Sequence, residues 1–149
     1  MRRYVFDAGP FLLLFTNEKG SDKARLAVLK HEKGEIEIYM HPNNLVEVYV
    51  VLNKLISERP DLLVKKIKPE DVVKSAYATL KVLHDEEVTL KLGELKAKYK
   101  NKPWGDLSAA ALSLRLDERG EVPVVILDGE KHFDDIKEIK TIRISELEL

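Results

Sequence analysis

Four carboxylates occupy positions in the sequence that suit a site for a divalent cation. Asp7 comes directly after the β-rich run Tyr4-Val5-Phe6, and Asp128 comes directly after the apolar run of residues 122–127. In open α/β sheets, ligands bind in the crevice at the carboxyl ends of the strands. If these two strands are parallel, both carboxylates therefore point into the same crevice.

The other two carboxylates lie in segments with a helical pattern. Glu47 stands within a nearly all-apolar stretch, residues 45–56, where we expect it to be buried. A buried carboxylate without a partner costs several kcal/mol. Asp106 stands in the first turn of a predicted helix whose same face continues with small residues, so a neighbouring element can approach it closely. Asp7, Glu47, Asp106 and Asp128 are the candidate catalytic residues and metal ligands.

The chemistry of these side chains indicates both the cation and the reaction. Oxygen ligands without histidine or cysteine suit a hard cation, Mg²⁺ or Mn²⁺. Mg²⁺ keeps several waters and commonly takes a substrate phosphate as a further ligand. The reaction that follows is hydrolysis of a phosphodiester bond by a metal-activated water. A second ion about 3.5 to 4 Å away would stabilise both the attacking and the leaving oxygens.

Each acid also has a purely structural interpretation. Asp106 can be a first-turn acid favoured by the helix dipole, which is worth about 0.3 to 1 kcal/mol. Asp128 begins an Asp-Gly pair, which is common in turns. Asp7 can mark the end of a strand before Gly-Pro, and Glu47 can reach solvent or pair with Lys54. The four together favour the metal site over these separate roles.

Cysteine and histidine offer no competing site. The chain has no cysteine, which excludes disulfides, thiolate zinc sites and a cysteine nucleophile. The histidines stand far apart without metal-ligand spacing, so we expect each to be a surface residue: His31, His41, His84 and His132.

The elements that must position the acids begin with a βαβ pattern. Pro10 suits the first position of a helix over residues 10–16, where its missing N–H is not needed. Ser21 is a predicted N-cap for a helix to about His31. Residues 36–40 alternate apolar and polar as in a strand.

The rest of the chain predicts more helices and a second part of the sheet. Three helices are expected over residues 44–58 (capped by Asn43 or Asn44), 69–83 and 85–99. Because no strand signal separates the last two, they predict a helical hairpin beside the sheet. A further helix (103–118), a buried strand typical of parallel sheets (122–127), a short turn or helix (131–136) and a last strand (141–144) follow.

Length and composition indicate one globular domain. The chain has 149 residues, 44% of them hydrophobic and 34% charged, which is enough for one ordinary core. No apolar run approaches the roughly 20 residues of a membrane span, and no cleavage site follows the amino-terminal run. We expect a cytoplasmic protein without a membrane partner.

Charge is distributed unevenly along the chain. The net charge is −1, with a neutral segment (1–53), a basic one of +4 (54–102) and an acidic one of −5 (103–149). Such a chain can hold an anionic backbone with one part and a cation with another, although solvated helix faces give the same pattern. Trp104 can stack a base or pack against its neighbours. Lysines that can contact phosphates, or simply end a solvated helix, precede it: Lys96, Lys98, Lys100 and Lys102.

Over essentially its whole length, the chain resembles the PIN-domain nucleases, particularly the small single-domain VapC toxins of prokaryotic toxin–antitoxin pairs. Four motifs carry the resemblance, in the order of the family. They are Tyr4-Val5-Phe6-Asp7-Ala8, Leu45-Val46-Glu47-Val48, Trp104-Gly105-Asp106-Leu107-Ser108-Ala109-Ala110-Ala111-Leu112 and Val125-Ile126-Leu127-Asp128-Gly129-Glu130-Lys131-His132-Phe133.

The resemblance implies a single domain over residues 1–149 with a three-layer α/β/α fold. A central twisted, mainly parallel sheet of about four to five strands is expected, with a helical hairpin beside it. The resemblance also implies a Mg²⁺- or Mn²⁺-dependent endoribonuclease that cuts single-stranded RNA, a homodimer, and an antitoxin protein as partner in the toxin members. Asp7, Glu47, Asp106 and Asp128 would be the metal ligands.

Two positions depart from the family pattern. The family often has Ser or Thr two residues after the first aspartate, where this chain has Gly9, and Ser or Thr shortly before the fourth acid, where it has Ile126. These departures motivate an alternative function: a weak or inactive PIN-like module that binds RNA or a protein partner. Asp134 and Asp135 follow the fourth acid and are candidate auxiliary ligands.

An aspartyl-phosphate protein is a further alternative, because such proteins also place an acid after the first strands. A haloacid-dehalogenase-type phosphatase needs a second aspartate where this chain has Gly9. A response-regulator receiver needs an acidic pair near its first strand, where this chain supplies Asp7 alone. Both interpretations are therefore disfavoured.

Overall fold

A five-stranded parallel sheet runs through the centre of the protein, and helices cover both of its faces. The computed structural model describes residues 1–128 and 135–149. The strands lie side by side in the order β3-β2-β1-β4-β5, and every neighbouring pair is parallel. They are β1 (Arg2–Phe6), β2 (Ile36–Met40), β3 (Lys81–Val82), β4 (Val124–Leu127) and β5 (Thr141–Arg143).

Six helices are found in the two described ranges. They are α1 (Ala8–Leu12), α2 (Ser21–Glu32), α3 (Pro42–Glu58), α4 (Pro69–Thr79), α5 (Glu86–Lys98) and α6 (Trp104–Arg115). Short 3₁₀ turns occur at Leu13–Phe15, Pro60–Leu62 and Ile144–Glu146. The turn or helix predicted over residues 131–136 lies mostly outside the described residues.

The two faces of the sheet bury separate hydrophobic clusters. Successive side chains of a strand point to opposite faces, so Tyr4 and Phe6 pack with residues of α1 to α4, while Val5 packs with α5 and α6. The predicted three-layer α/β/α fold with a parallel sheet is therefore confirmed.

The strand order places a crevice at the carboxyl ends of β1 and β4. From β1 the chain first builds outward through β2 and β3, and then crosses to the other side of β1 to form β4 and β5. Ligand crevices of open α/β sheets lie at this kind of switch point. The backbone N–H of Asp7 donates to the carbonyl oxygen of Ile126 over 3.1 Å, so the two strands end at the same level.

The predicted pairing of α4 with α5 is wrong. The strand β3 lies between these helices and adds to the edge of the sheet beside β2. With two residues, it is too short to give an alternating pattern in the sequence. The helix that shares a hydrophobic cluster with α5 is α6.

Two helix starts differ from the prediction by one or two residues. The helix α1 begins at Ala8, directly after Asp7, so Pro10 lies inside its first turn. The helix α2 begins with Ser21 itself, and Gly20 occupies the cap position with a left-handed φ of 98°. Glycine adopts this conformation without the steric cost that a Cβ brings.

The amino end of α3 is capped by a histidine rather than by Asn43 or Asn44. His41 is 1% exposed, and its Nδ1 accepts the backbone N–H of Asn43 over 3.0 Å. The ring hydrogen therefore lies on Nε2, which donates to Nδ1 of His84 over 2.8 Å.

The expectation of four surface histidines is therefore wrong for His41. His31 is half-buried, and its ring bridges the backbone N–H of Ile38 and the carbonyl of Thr79. Both rings act as hydrogen-bonding links between elements. His132 lies outside the described residues.

Replacing His41 with asparagine is expected to flatten the pH dependence of stability on the acidic side. Burial, followed by the nearby His84, lowers the pKa of His41 from 6.5 to about 4. The unfolded chain then binds the proton more readily between those pH values, so acidification favours unfolding. Asparagine also caps helices but does not titrate.

Urea unfolding at pH 7.5 and pH 4.5 measures this effect. The wild type is expected to lose roughly 2 to 3 kcal/mol more than His41→Asn across the interval. Parallel losses in the two proteins would show that His41 takes up its proton equally in the folded and unfolded states.

Candidate active site

The four predicted acids meet at the carboxyl edge of the sheet. Asp7 follows the last residue of β1 and Asp128 the last residue of β4, while Glu47 lies in the second turn of α3 and Asp106 in the first turn of α6. Glu47, Asp106 and Asp128 all lie close enough to act electrostatically on Asp7. The topology thus brings together acids from four separate parts of the sequence.

These acids differ in their exposure to solvent. Asp106 is 7% exposed and Asp7 is half-buried, while Glu47 and Asp128 are exposed. The prediction of a buried Glu47 is wrong, because α3 turns its outer face, including the apolar Val46, to solvent. The site is therefore a crevice with a buried floor and an open rim.

Asp7 carries the clearest electrostatic signature of the cluster. Burial, followed by the negative charges of Glu47, Asp106 and Asp128, raises the pKa of Asp7 from 3.8 to about 7. A backbone hydrogen bond at Ala8 opposes this rise. A carboxyl group that resists ionisation in this way gains from a nearby positive charge.

Asn44 connects the floor of the site to two other elements. Its side chain is fully buried, and its Nδ2 donates to Asp7 Oδ1 and to the carbonyl oxygen of Gly105, both over 3.0 Å. Within the described residues, its Oδ1 is buried without a hydrogen-bond partner. This residue fixes Asp7 relative to the start of α6, a role that the sequence interpretation of Asn44 as a helix cap missed.

Replacing Asn44 with alanine is expected to weaken both stability and activity. The change leaves Asp7 Oδ1 and the Gly105 carbonyl without this donor, which costs about 1 to 3 kcal/mol for a buried group. Loss of a residue that orients a metal ligand typically lowers metal affinity or activity about 10- to 100-fold. Chemical unfolding and a metal titration measure the two effects.

Asn43→Ala is the matched control for this change. Asn43 is the exposed neighbour, and its side chain donates to Ser108 Oγ over 2.9 Å. We expect it to retain the wild-type metal affinity. Equal losses of metal affinity in the two variants would show that Asn44 has no specific role in orienting Asp7.

The absence of a side chain at Gly9 makes room for Asp128. A Cβ built on Gly9 would approach Asp128 Cβ to 2.7 Å and Oδ2 to 2.5 Å, well inside van der Waals contact. A serine or threonine at this position therefore could not coexist with Asp128 as placed. The departure from the family pattern at Gly9 thus has a steric reason within the site.

The absence of a side chain at Gly105 likewise makes room for Glu47. A Cβ on Gly105 would clash with Glu47 Oε1 and lie 3.5 Å from its Cδ. The end of the Glu47 carboxylate therefore rests directly against the backbone at the start of α6. Two glycines thus let two of the four carboxylates pack closely against neighbouring backbone.

The donor set suits a hard divalent cation. All four side chains offer carboxylate oxygens, which Mg²⁺ and Mn²⁺ prefer. In the ranges 1–128 and 135–149, no three acidic or imidazole side chains are already grouped as ligands around one point. Carboxylates without a counter-charge repel one another. The amino ends of α3 and α6 partly offset this repulsion, because they supply partial positive charge at this edge of the sheet.

The lysines before Asp106 are partly engaged within the protein. Lys98 pairs with Glu138 over 3.5 Å, and Lys102 forms an ion pair with Asp135. Asp135 thus has a cationic partner, and Asp134 lies outside the described residues. Lys100 is exposed, and Lys96 contacts Trp104 as described below.

Comparisons with known proteins agree with this architecture. The model of the PIN domain family matches residues 4–139. A search of curated proteins gave no significant match. Solved structures with a similar fold include chains of VapBC2 from Rickettsia felis bound to a promoter DNA fragment, of DNA-bound VapBC from Salmonella typhimurium, and of a toxin–antitoxin complex from Klebsiella pneumoniae.

These structural similarities cover almost the whole chain at low sequence identity. The TM-score is 0.63 in all three cases, with identities of 14%, 17% and 16%. The alignments cover 95%, 97% and 97% of this chain and 98%, 99% and 99% of the other chains. At such identities the structures support the fold, while the family model matches the sequence itself over most of its length. The chain therefore belongs to the PIN domain family.

Proposed function

We propose that the protein is a Mg²⁺- or Mn²⁺-dependent endoribonuclease that hydrolyses phosphodiester bonds of single-stranded RNA. The observation that carries this proposal is the convergence of four carboxylates on one crevice, where burial and three negative neighbours raise the pKa of Asp7 to about 7. Such a cluster is electrostatically unfavourable alone and favourable around a cation. Membership of the PIN domain family supports the same reading.

Asp7, Glu47, Asp106 and Asp128 would hold the cation. A bound divalent cation polarises a phosphoryl oxygen and lowers the pKa of a water, which supplies the hydrolytic chemistry. The protein's own contribution is positional. Asn44 keeps Asp7 Oδ1 in place by a 3.0 Å hydrogen bond, and the burial of Asp106 keeps water from screening the floor of the site.

A cleavage assay tests this proposal. Purified protein is incubated with end-labelled single-stranded RNA and Mn²⁺, and the expected products are discrete fragments that disappear when a chelator is added. The double variant Asp7→Asn with Asp106→Asn, purified in parallel, controls for contaminating nucleases. Equal cutting by the double variant, or no cutting by the wild type, would overturn the assignment and favour a module that only binds.

We further propose that the protein is a cytoplasmic homodimeric toxin with an antitoxin partner. The similar solved structures come from toxin–antitoxin complexes, and an apolar surface on α3 and α4 includes the exposed side chains Val46, Tyr49, Val50 and Tyr77. None of the helices in the described ranges is long and apolar enough to span a membrane. Light scattering of the purified protein tests the dimer. Co-purification with the product of the adjacent upstream gene tests the partner.

A further inference from the structure

Trp104 lies at the start of α6 with most of its side chain in solvent. It is the single tryptophan of the chain and is 56% exposed, whereas tryptophan is on average highly buried. It is also the first residue of α6, two positions before the buried Asp106. Packing into the core therefore does not account for this side chain.

The indole ring is supported on one face by a fixed cation. Lys96 Nζ lies 4.8 Å from the centre of the ring, within the range of a cation–π contact. The same Nζ donates to the carbonyl oxygens of Lys100 (3.1 Å) and Lys102 (2.8 Å). The loop before α6 thus holds Lys96 in place, and Lys96 in turn holds the ring.

The backbone beneath the ring is also fixed. Ser108 Oγ donates to the carbonyl oxygen of Trp104 over 2.7 Å, and Asn44 Nδ2 donates to the carbonyl oxygen of Gly105 over 3.0 Å. A large flat aromatic surface held rigidly in solvent is poor for stability but well suited to bind a flat apolar ligand without ordering cost. Nucleobases are such ligands.

We propose that Trp104 is a stacking platform for an unpaired base of RNA next to the bond that is cut, and that it selects single-stranded over duplex substrate. This inference rests on the proposed function. A base within a duplex is already stacked between its neighbours and cannot lie on the ring. The platform adjoins the carboxylates through the next residue, Gly105, whose carbonyl oxygen accepts from the same Asn44 side chain that bonds Asp7 and whose backbone lies against the end of Glu47.

Binding measurements test the platform independently of cleavage. The probe is a fluorescently labelled single-stranded RNA of eight nucleotides, and the parent protein is Asp106→Asn with Mg²⁺ present. Adding Trp104→Leu to this parent is expected to weaken binding about 5- to 150-fold, the effect of one stacked base. Trp104→Phe keeps an aromatic face and is expected to retain much of the affinity.

Two controls separate stacking from a general effect. Leu90→Ala removes a large apolar side chain of similar exposure (60%) on α5 and is expected to leave affinity unchanged. In a second control, a single abasic nucleotide is placed at each position of the RNA in turn. At one position it is expected to lower the affinity of the parent protein. With that RNA, adding Trp104→Leu is expected to cause no further loss of affinity. In cleavage assays with a protein that retains Asp106, the single substitution Trp104→Leu is expected to raise KM more than it lowers kcat.

The outcomes distinguish this inference from the proposed function. RNA cleavage by the wild type together with unchanged binding and KM in Trp104→Leu would overturn the platform alone. Trp104-dependent binding without metal-dependent cleavage would overturn the nuclease assignment and leave the platform standing. Equal binding of single-stranded and duplex RNA, or an abasic scan without a sensitive position, would also overturn the platform. Melting curves of the leucine and phenylalanine variants serve to check that both are folded.

Discussion

Asp7→Asn is expected to stabilise the metal-free protein at neutral and alkaline pH by about 3 to 4 kcal/mol, while it strongly reduces the rate of cleavage. The pKa of Asp7 is raised to about 7, first by burial and then by three acidic neighbours, against 3.8 as the ordinary value. Each pKa unit corresponds to about 1.4 kcal/mol between the two protonation states. Asparagine removes the charge and keeps an Oδ1 that can accept from Asn44.

The sign of the pH dependence follows from these two values. Between pH 3.8 and 7 the folded protein binds a proton that the unfolded chain has released, so the stability of the wild type falls as pH rises. The advantage of Asp7→Asn should therefore be absent below pH 4 and complete above pH 7. At roughly 2 to 4 °C per kcal/mol for a domain of this size, melting curves at pH 4 and pH 8 in chelator resolve it.

Adding Mg²⁺ or Mn²⁺ completes this experiment. A ligand that binds only the folded state raises its stability, so the cation should raise the melting temperature of the wild type more than that of Asp7→Asn. A bound cation stabilises the transition state by several kcal/mol, so its loss lowers the rate of cleavage about 10³-fold. A destabilised Asp7→Asn at pH 8 would contradict the electrostatic account of the cluster.

Gly105→Ala is expected to lower cleavage roughly 100-fold or more, with little change in stability. The new Cβ would clash with Glu47 Oε1. Because Glu47 is exposed and its Oε1 is the far end of a long side chain, the carboxylate can rotate away from the new Cβ without disturbing the core. Loss of a cation-holding group removes transition-state stabilisation, and each 1.4 kcal/mol lost is tenfold in rate.

Gly93→Ala is the matched control for this effect. Gly93 lies within α5, and a Cβ there meets nothing within 4 Å. Alanine should stabilise the helix by about 0.5 to 1 kcal/mol and leave cleavage unchanged.

A double variant isolates the contact between Gly105 and Glu47. If Gly105→Ala acts by displacing Glu47, its combination with Glu47→Ala should be no worse than Glu47→Ala alone. Additive losses in the cleavage rate would show that Gly105 contributes by another route.

The placement of the acids was predictable because it depends on local patterns. The strand before Asp7 and the strand before Asp128 have short apolar runs that end at an acid, and parallel topology then brings the ends together. The helix α3 was predicted despite its β-branched residues, because its length exceeds that of a typical strand. The strand β3 was missed because two residues are too few to show an alternation of apolar and polar side chains.

The contacts that tune the site were not predictable, because they join residues far apart in sequence. Asn44 meets Asp7 and Gly105 across 37 and 61 positions, and His41 meets His84 across 43. A single sequence gives no signal for such pairs, so Asn44 was interpreted as a helix cap and His41 as a surface residue. The exposure of Glu47 was only one of two interpretations, because the nearly all-apolar stretch around it also suggested burial.

Because Gly9 and Asp128 are in close contact, we expect the residues at these two positions to change together among relatives. Since a side chain at position 9 would occupy the space of the Asp128 carboxylate, a hydroxyl residue there requires that the fourth acid stand elsewhere or point away. Relatives with Ser or Thr at the equivalent of position 9 should therefore differ from this chain in the backbone after β4. Transplanting the hydroxyl alone would remove an acid from the site, and exchanging both segments together would preserve it.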